Sequence, residues 1–513
     1  MLIKLFISIA AISLVVLNAN APAQAASEFE QWKMQQQQTF QEYKDERDRE
    51  FTDFLKKQWR EMELLRGFVR DEAPKPVKIP VAKPQPPAPV AKPQPQPAPV
   101  AEPAPEQKPT ATPEPTPVPV PAPVVIKPIP IVTPPAPPKP APVPYTQQKG
   151  IKANISYFGT PLTFYYDAGF KKSLPGSLNE TAVSNFWSDL SKADYDPLLD
   201  QLSIQKKALA LNDWGYAILV DDLAEQIYPT SKNKQALFTW FILTKDGYRA
   251  RIAYNDRNAY LLVPSKQQIF EVPYFTFDGD RYYAVSFDGT KTSLGQVYTY
   301  DGNYPGAANK FDMSLKSDAA ESNKVSSRKL SFDYNGKRYN VVADYEKSRI
   351  DFLNTYPQLD LEMYFDASVS ASIGNPLLKQ LAEDIKGMDE QQAVNFLLRF
   401  VQTSLKYKTD ENQFGKENYL FPEETLYYPY SDCEDRSILF AWLVKHLLGL
   451  EVVGLDFPGH VATAVHFKDN VAGDAITWNG KRYVVADPTY INATAGMTMP
   501  AYKNAKPGVI KIQ

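Results

Sequence analysis

The segment "YYPYSDCEDRSILF" (427–440) holds the only cysteine of the 513-residue chain, Cys433. Ser431 or Asp432 can cap a helix here, because either side chain can accept from the free N–H groups of a first turn. Ile438, Leu439, Trp442 and Leu443 recur at helical spacing, and Gly449 suits a C-terminal stop. The pattern therefore predicts a helix with Cys433 in its first turn, where unpaired N–H groups and the positive end of the helix dipole favour a thiolate. Glu434 and Asp435 oppose that effect if they face the sulfur, which adjacent helical residues need not do.

A thiol nucleophile needs a base, and the chain has three histidines. His446 lies on the cysteine helix, thirteen positions on and about 20 Å along the axis, which is too far. His460 and His466 share one strand and one face of it, about 20 Å apart, so only one can reach the sulfur. His460 directly follows Pro458-Gly459, at a strand end where an active-site edge is expected. A carboxylate should then hold the imidazole in one tautomer. Asp487, in "VVADPTY", ends a strand that Pro488 stops, and pairs with His460 in this reading. The alternative is a buried structural cysteine with surface histidines.

"SDCEDRSILFAWLVKHL", "GHVATAVHF" and "ADPTY", in that order and preceded by "FPEETLYYP", resemble the catalytic core of the transglutaminase-like superfamily, of the bacterial cysteine-peptidase type. The resemblance covers the last 140 residues or so. It implies a papain-related fold with Cys433 as nucleophile, His460 as general base and Asp487 as its orienter. It also implies acyl transfer on protein or peptide amide bonds, with hydrolysis favoured over crosslinking. The backbone N–H of Cys433 can help hold an oxyanion, and Tyr407 is a candidate second donor. No cofactor is expected, and three histidines with one cysteine at these spacings make no zinc set.

The elements that must position these groups follow from periodicity. "NPLLKQLAEDIKG" and "DEQQAVNFLLRFVQTSLKY" predict two helices, and "EVVGLDF", "HVATAVHF" and "KRYVVADPTY" predict strands, within a catalytic domain over 370–513. Residues 150–365 read as a noncatalytic α+β region. Its expected helices are "NETAVSNFWSDLSK" and "WGYAILVDDLAEQIY"; its expected strands include "ALFTWFILT", "YRARIAY", "AYLLVP", "RYYAVSF" and "LDLEMYFDASVSAS". An Asn/Asp-Gly hairpin signature recurs at 277–285, 334–344 and 478–487, each fitting a type I′ turn. This region is open to a second reading as a degenerate transglutaminase-like copy, in which "LNDWGYAILVDDLAEQIY" aligns with the cysteine helix and Trp214 falls near the cysteine position.

Upstream, residues 73–146 form a Pro-rich linker, with 29 of the chain's 45 prolines between Pro74 and Pro144. Proline lacks an N–H and locks φ, so this segment is expected to act as an extended spacer. Residues 27–70 read as an amphipathic helix with an 11-residue repeat: Phe29, Phe40, Phe51 and Met62, each followed three positions later by Trp32, Tyr43, Phe54 or Leu65. Over 28–66 this narrow stripe suits self-association or docking, or simply a surface helix. Residues 1–25 read as a signal peptide: Lys4, an apolar run Leu5–Leu17, and Ala23-Gln24-Ala25 as a cleavage site. Export to the periplasm or cell envelope follows, a setting in which an unpaired cysteine calls for a chemical reason. A net charge of −3 argues against a nucleic-acid binder. The sequence thus predicts an α+β protein acting on a protein or peptide substrate of the envelope; the competing class is a noncatalytic envelope scaffold with an inactive transglutaminase-like fold.

Overall fold

The computed structural model describes residues 21–62, 82, 149–287, 296–300, 302–316 and 325–513. The expected signal segment up to Asn20 and, apart from Ala82, the Pro-rich tract lie outside these residues. The described chain is α+β, built from two successive halves that share one plan.

Each half opens with a two-stranded antiparallel hairpin, Ile151–Tyr157 with Thr160–Tyr166 in the first and Val325–Tyr334 with Lys337–Glu346 in the second. A helix with a proline four residues before one glutamine, Asp196–Ala208 in the first half and Ala371–Asp384 in the second, grips the hairpin through that glutamine. In the first half, Gln201 Nε2 donates to Tyr165 O and Pro197 O while its Oε1 accepts from Tyr165 N. In the second, Gln380 Nε2 donates to Val342 O and Pro376 O while its Oε1 accepts from Val342 N. The sequences "DPLLDQL" (196–202) and "NPLLKQL" (375–381) match around these contacts, and Leu198, Leu202, Leu377 and Leu381 are all buried. A further helix follows in each half, Asp213–Ile227 against the strand Ile151–Tyr157 and Glu390–Ser404 against Val325–Tyr334.

Next comes the helix that packs on the main sheet: Lys232–Lys245 in the first half and Cys433–Leu448 in the second. The sheets have the same strand order. In the second half it runs Ala475–Trp478, Lys481–Ala486, His460–His466, Glu451–Phe457, Gly508–Lys511, antiparallel throughout. In the first it runs Tyr274–Phe277, Asp280–Ala284, Ala259–Pro264, Arg251–Tyr254, Val297–Tyr300, with one extra strand, Trp59–Met62, on the last edge. The second-half sheet buries both faces with period-two alternation. Val461 and Val465 join the main core under the cysteine helix, whereas Ala462, Ala464 and Val485 form a separate cluster on the other side.

Several elements depart from the sequence reading. "ALFTWFILT", expected as a strand, lies inside the helix Lys232–Lys245, which Ser231 caps by accepting from Lys234 N. Its run of apolar side chains is buried on all sides, so neither period showed in the sequence. "LDLEMYFDASVSAS" is a short helix, Leu361–Phe365, a loop over 366–370 and the first two residues of the helix Ala371–Asp384. The helix carrying Trp214 occupies the place of Glu390–Ser404, and the counterpart of the cysteine helix is Lys232–Lys245. All three hairpin signatures do turn as expected, with positive φ at Asp278-Gly279, Asn335-Gly336 and Asn479-Gly480.

The N-terminal helix spans Ala21–Leu55 and stops well short of residue 70. Residues 59–62 instead form a strand, because the edge strand Val297–Tyr300 offers them a ladder of backbone partners and Trp59 packs edge-on against Tyr254 and Tyr300. The helix lies against the first half, with Phe51 and Leu55 fully buried and Phe51 among the rings of Trp187, Tyr300 and Tyr304. Lys245 is buried against it, paired with Asp48, whose carboxylate also accepts from Tyr304 at 2.9 Å. No helix among the described residues is long and apolar enough to cross a membrane.

Candidate active site

Cys433 is the first residue of its helix, with Asp432 as N-cap in a capping box with Asp435 and Gly449 closing the far end in the left-handed region at φ 62°. The segment before it is fixed from several sides. One carboxylate oxygen of Asp435 accepts from Leu420 N at 2.9 Å and the other from Asp432 N at 3.1 Å. Arg436 reaches back to donate to Leu405 O at 2.7 Å and to Ser431 Oγ at 3.2 Å. Burial pushes that guanidinium down to about 10, still charged at neutral pH, and the acidic groups around it, Tyr407, Asp432 and Asp435 foremost, oppose the shift. Tyr407 lies in a two-residue parallel pairing with Tyr430–Ser431, directly before the cysteine, and its ring sits 5.3 Å from the Arg436 guanidinium.

The helix is tied to the histidine strand one turn after the cysteine: Ser437 Oγ donates to Val461 O at 3.0 Å, beside His460. His460 Nε2 lies 2.9 Å from Asp487 Oδ2, with both side chains buried. Asp487 is held as a short turn demands, its Oδ1 accepting from Thr489 N at 2.8 Å and Tyr490 N at 3.2 Å. Gln402 clamps the same loop from below, donating to Asp487 O and Ala493 O. A carboxylate facing Nε2 favours the proton on that nitrogen, so a neutral ring has its lone pair on Nδ1. Nδ1 is buried and has no hydrogen-bond partner among the described residues.

Tyr502 was not foreseen from the sequence. Its ring stacks on the His460 imidazole with centroids 5.0 Å apart at 16°, and Phe457 packs against it at 5.2 Å. Its hydroxyl is held above its ordinary range first by burial and then by the nearby acidic groups of Cys433 and Asp487, so one side chain lies close to both. It stands fifteen residues beyond Asp487 in a short 3₁₀ turn, and no spacing in the sequence links it to the histidine.

Of the predicted site residues, His460 and Asp487 are in direct contact, and Cys433 is brought to the same region by its helix. His446 turns away, its Nδ1 bonded to Trp442 O at 2.8 Å, and His466 sits at the far end of its strand, bonded to Arg482 O at 2.9 Å. Glu434 does face the sulfur. The Cys433 thiol donates to Glu434 Oε2 at 3.0 Å, because the helix start is buried and water cannot solvate the carboxylate there. Cys433, His460 and Asp487 are all closed from solvent, while a cleft lined by Phe457, Pro458, Gly459, Val509 and Phe270 opens beside the turn leading into His460. Asp410, Asp432 and Asp435 each bring one oxygen within 4.8 Å of the others, a spacing a hard cation can accept. Asp410 and Asp435 already take backbone N–H donors, from Asn418 and from Leu420 and Asp432.

The corresponding positions of the first half hold no such chemistry. Thr463 pairs with Ala486 as Leu262 pairs with Ala284, so His460 corresponds to Ala259 and Asp487 to Val285. The first helical residue is Lys232 in place of Cys433. The second half also carries an insertion between Glu390–Ser404 and the cysteine helix, residues 405–432, where the first half has only 228–231. No family model matches the sequence, and no curated protein matches it at a significant level.

Proposed function

We propose that this protein is an exported thiol-dependent acyl-transfer enzyme of the transglutaminase-like, papain-related type, acting on protein or peptide amides and chiefly hydrolytic. The observation that carries the reading is the buried His460–Asp487 pair at 2.9 Å, whose Nδ1 is free to act as a lone-pair base, on a strand that Ser437 of the cysteine helix ties down at Val461 O. Nδ1 takes the Cys433 proton as sulfur attacks the amide carbonyl. The C–N bond then breaks, and the imidazolium returns that proton to the departing amine, leaving a thioester. Water, deprotonated by the same nitrogen, attacks the thioester, releasing the carboxylic acid and restoring the thiol. The helix N-terminus supplies N–H groups toward the oxyanion. In this reading the first half is a noncatalytic copy, and the positively charged start and apolar run of residues 1–25 are the export signal.

The full burial of Cys433 favours one competing reading, a scaffold whose triad-like residues are sealed in the fold. The test is alkylation of Cys433 by a peptidyl thiol reagent near neutral pH. The enzyme reading expects it to outpace free cysteine, with amide turnover falling by about 10²–10⁴-fold in His460→Ala, as the loss of a general base requires. A thiol no faster than free cysteine and indifferent to His460→Ala would establish the scaffold.

A further inference from the structure

One residue of the Pro-rich tract is seated beside the candidate triad. Ala82 is 3% exposed and buried in a cluster with Tyr490, Ala493 and Met499, against which Tyr502 also packs. Its backbone N–H donates to Ile491 O at 2.9 Å. The loop that receives it is the one that holds the Asp487 carboxylate, and Tyr502 is the ring stacked on His460. A main-chain hydrogen bond plus an apolar socket for one small side chain is how a surface strip reads an extended peptide. The strip is rigid, since Gln402 clamps Ala493 O and Arg399 bonds the Asn492 side chain.

We propose that this strip is a peptide-binding subsite for extended segments carrying a small residue between prolines, and that the chain's own tract fills it in cis at Ala82. The tract is suited to the role in composition. Pro80-Val81-Ala82-Lys83-Pro84-Gln85-Pro86 recurs as Pro89-Val90-Ala91-Lys92-Pro93-Gln94-Pro95, and again as Pro99-Val100-Ala101-Glu102-Pro103-Ala104-Pro105. Flanking prolines restrict the backbone in advance and lower the entropy lost on docking. The tract is tethered on both sides, to the strand ending at Met62 and to the hairpin beginning at Ile151. Tethering makes the contact intramolecular and raises its effective concentration, which helps a weak contact stay filled. If the enzyme reading of the triad holds, on which this consequence rests, the tract competes with substrate for the ground next to His460.

The test uses the full chain carrying Cys433→Ala, so that binding is read without turnover. Two forms are compared, one with the native tract and one with residues 77–105 replaced by a Gly-Ser sequence of equal length. A fluorescent peptide of residues 77–86 is titrated against each and followed by anisotropy. The expected result is saturable binding to the replaced form, at least tenfold weaker binding to the native form, and loss of binding when the peptide carries the equivalent of Ala82→Asp. Equal binding to both forms, or undiminished binding of the aspartate peptide, would overturn the proposal. Failure of the catalytic reading would leave these titrations unchanged and would appear only in the alkylation of Cys433.

Discussion

At the scale of single residues, the contact between the Cys433 thiol and Glu434 Oε2 is the least expected feature of the site. A carboxylate beside sulfur holds the proton on the thiol, opposing the helix N-terminus and whatever the imidazole contributes. Glu434→Gln keeps the shape and removes the charge. It is expected to speed alkylation of Cys433 several-fold at neutral pH and to move the alkylation–pH profile to lower pH, as stopped-flow measurement across pH 5–9 would record. A slower or unchanged rate would mean that Glu434 does not control the thiol. Glu434 stands next to Cys433 in sequence, yet the helical rule that neighbours need not face one another gave no warning. Burial of the first turn decides it.

At the scale of elements, the insertion before the cysteine helix packs acidic side chains where water cannot reach. Glu424, in the short helix Pro422–Tyr427, has its carboxyl raised from 4.5 to about 8, first by burial and then by the charges of Asp435 and Glu423, while the Phe421 N–H donated to it pulls the other way. A carboxyl raised in the folded state binds its proton more tightly there than in the unfolded chain. Its contribution to stability is therefore complete below pH 4.5 and is lost as pH rises toward about 8. Glu424→Gln, which can still accept from Phe421 N, is expected to flatten the decline in thermal midpoint between those pH values. A wild-type midpoint that does not fall over this range would refute the assignment. The "FPEETLYYP" lead-in was visible in the sequence, but both of its glutamates are buried, and only the fold sets Arg349 beside Glu423 at 3.5 Å and leaves Glu424 to the Phe421 N–H.

At the scale of the whole molecule, two halves with the same hairpin, glutamine clamp and sheet order differ in side chains: one has Cys433, His460 and Asp487 where the other has Lys232, Ala259 and Val285. The first half is the platform for the N-terminal helix. Phe51 is fully buried among Trp187, Trp240, Tyr300 and Tyr304. Phe51→Ala removes a buried aromatic and is expected to cost about 3–5 kcal/mol. Chemical denaturation followed by tryptophan fluorescence should show the loss in the first half, with Cys433 alkylation unchanged. Equal stability would mean that the helix is only loosely attached. Its 11-residue repeat was legible as a stripe, but the surface covering that stripe was not, because the covering rings lie more than a hundred residues away.

The sequence by itself determined the parts set by local physics. The helix start at Asp432, its stop at Gly449, the three Asn/Asp-Gly turns and the strand that Pro488 ends all depend on a few adjacent residues, so they could be read directly. The pairing of His460 with Asp487 was foreseen only as an arrangement that the chemistry would require. The tertiary structure alone decided which buried run was helix rather than strand, which ring covers the imidazole, and which helix of the first half answers to the cysteine helix. Those outcomes turn on burial and on contacts between distant segments, and an all-apolar stretch or an isolated tyrosine carries no record of either.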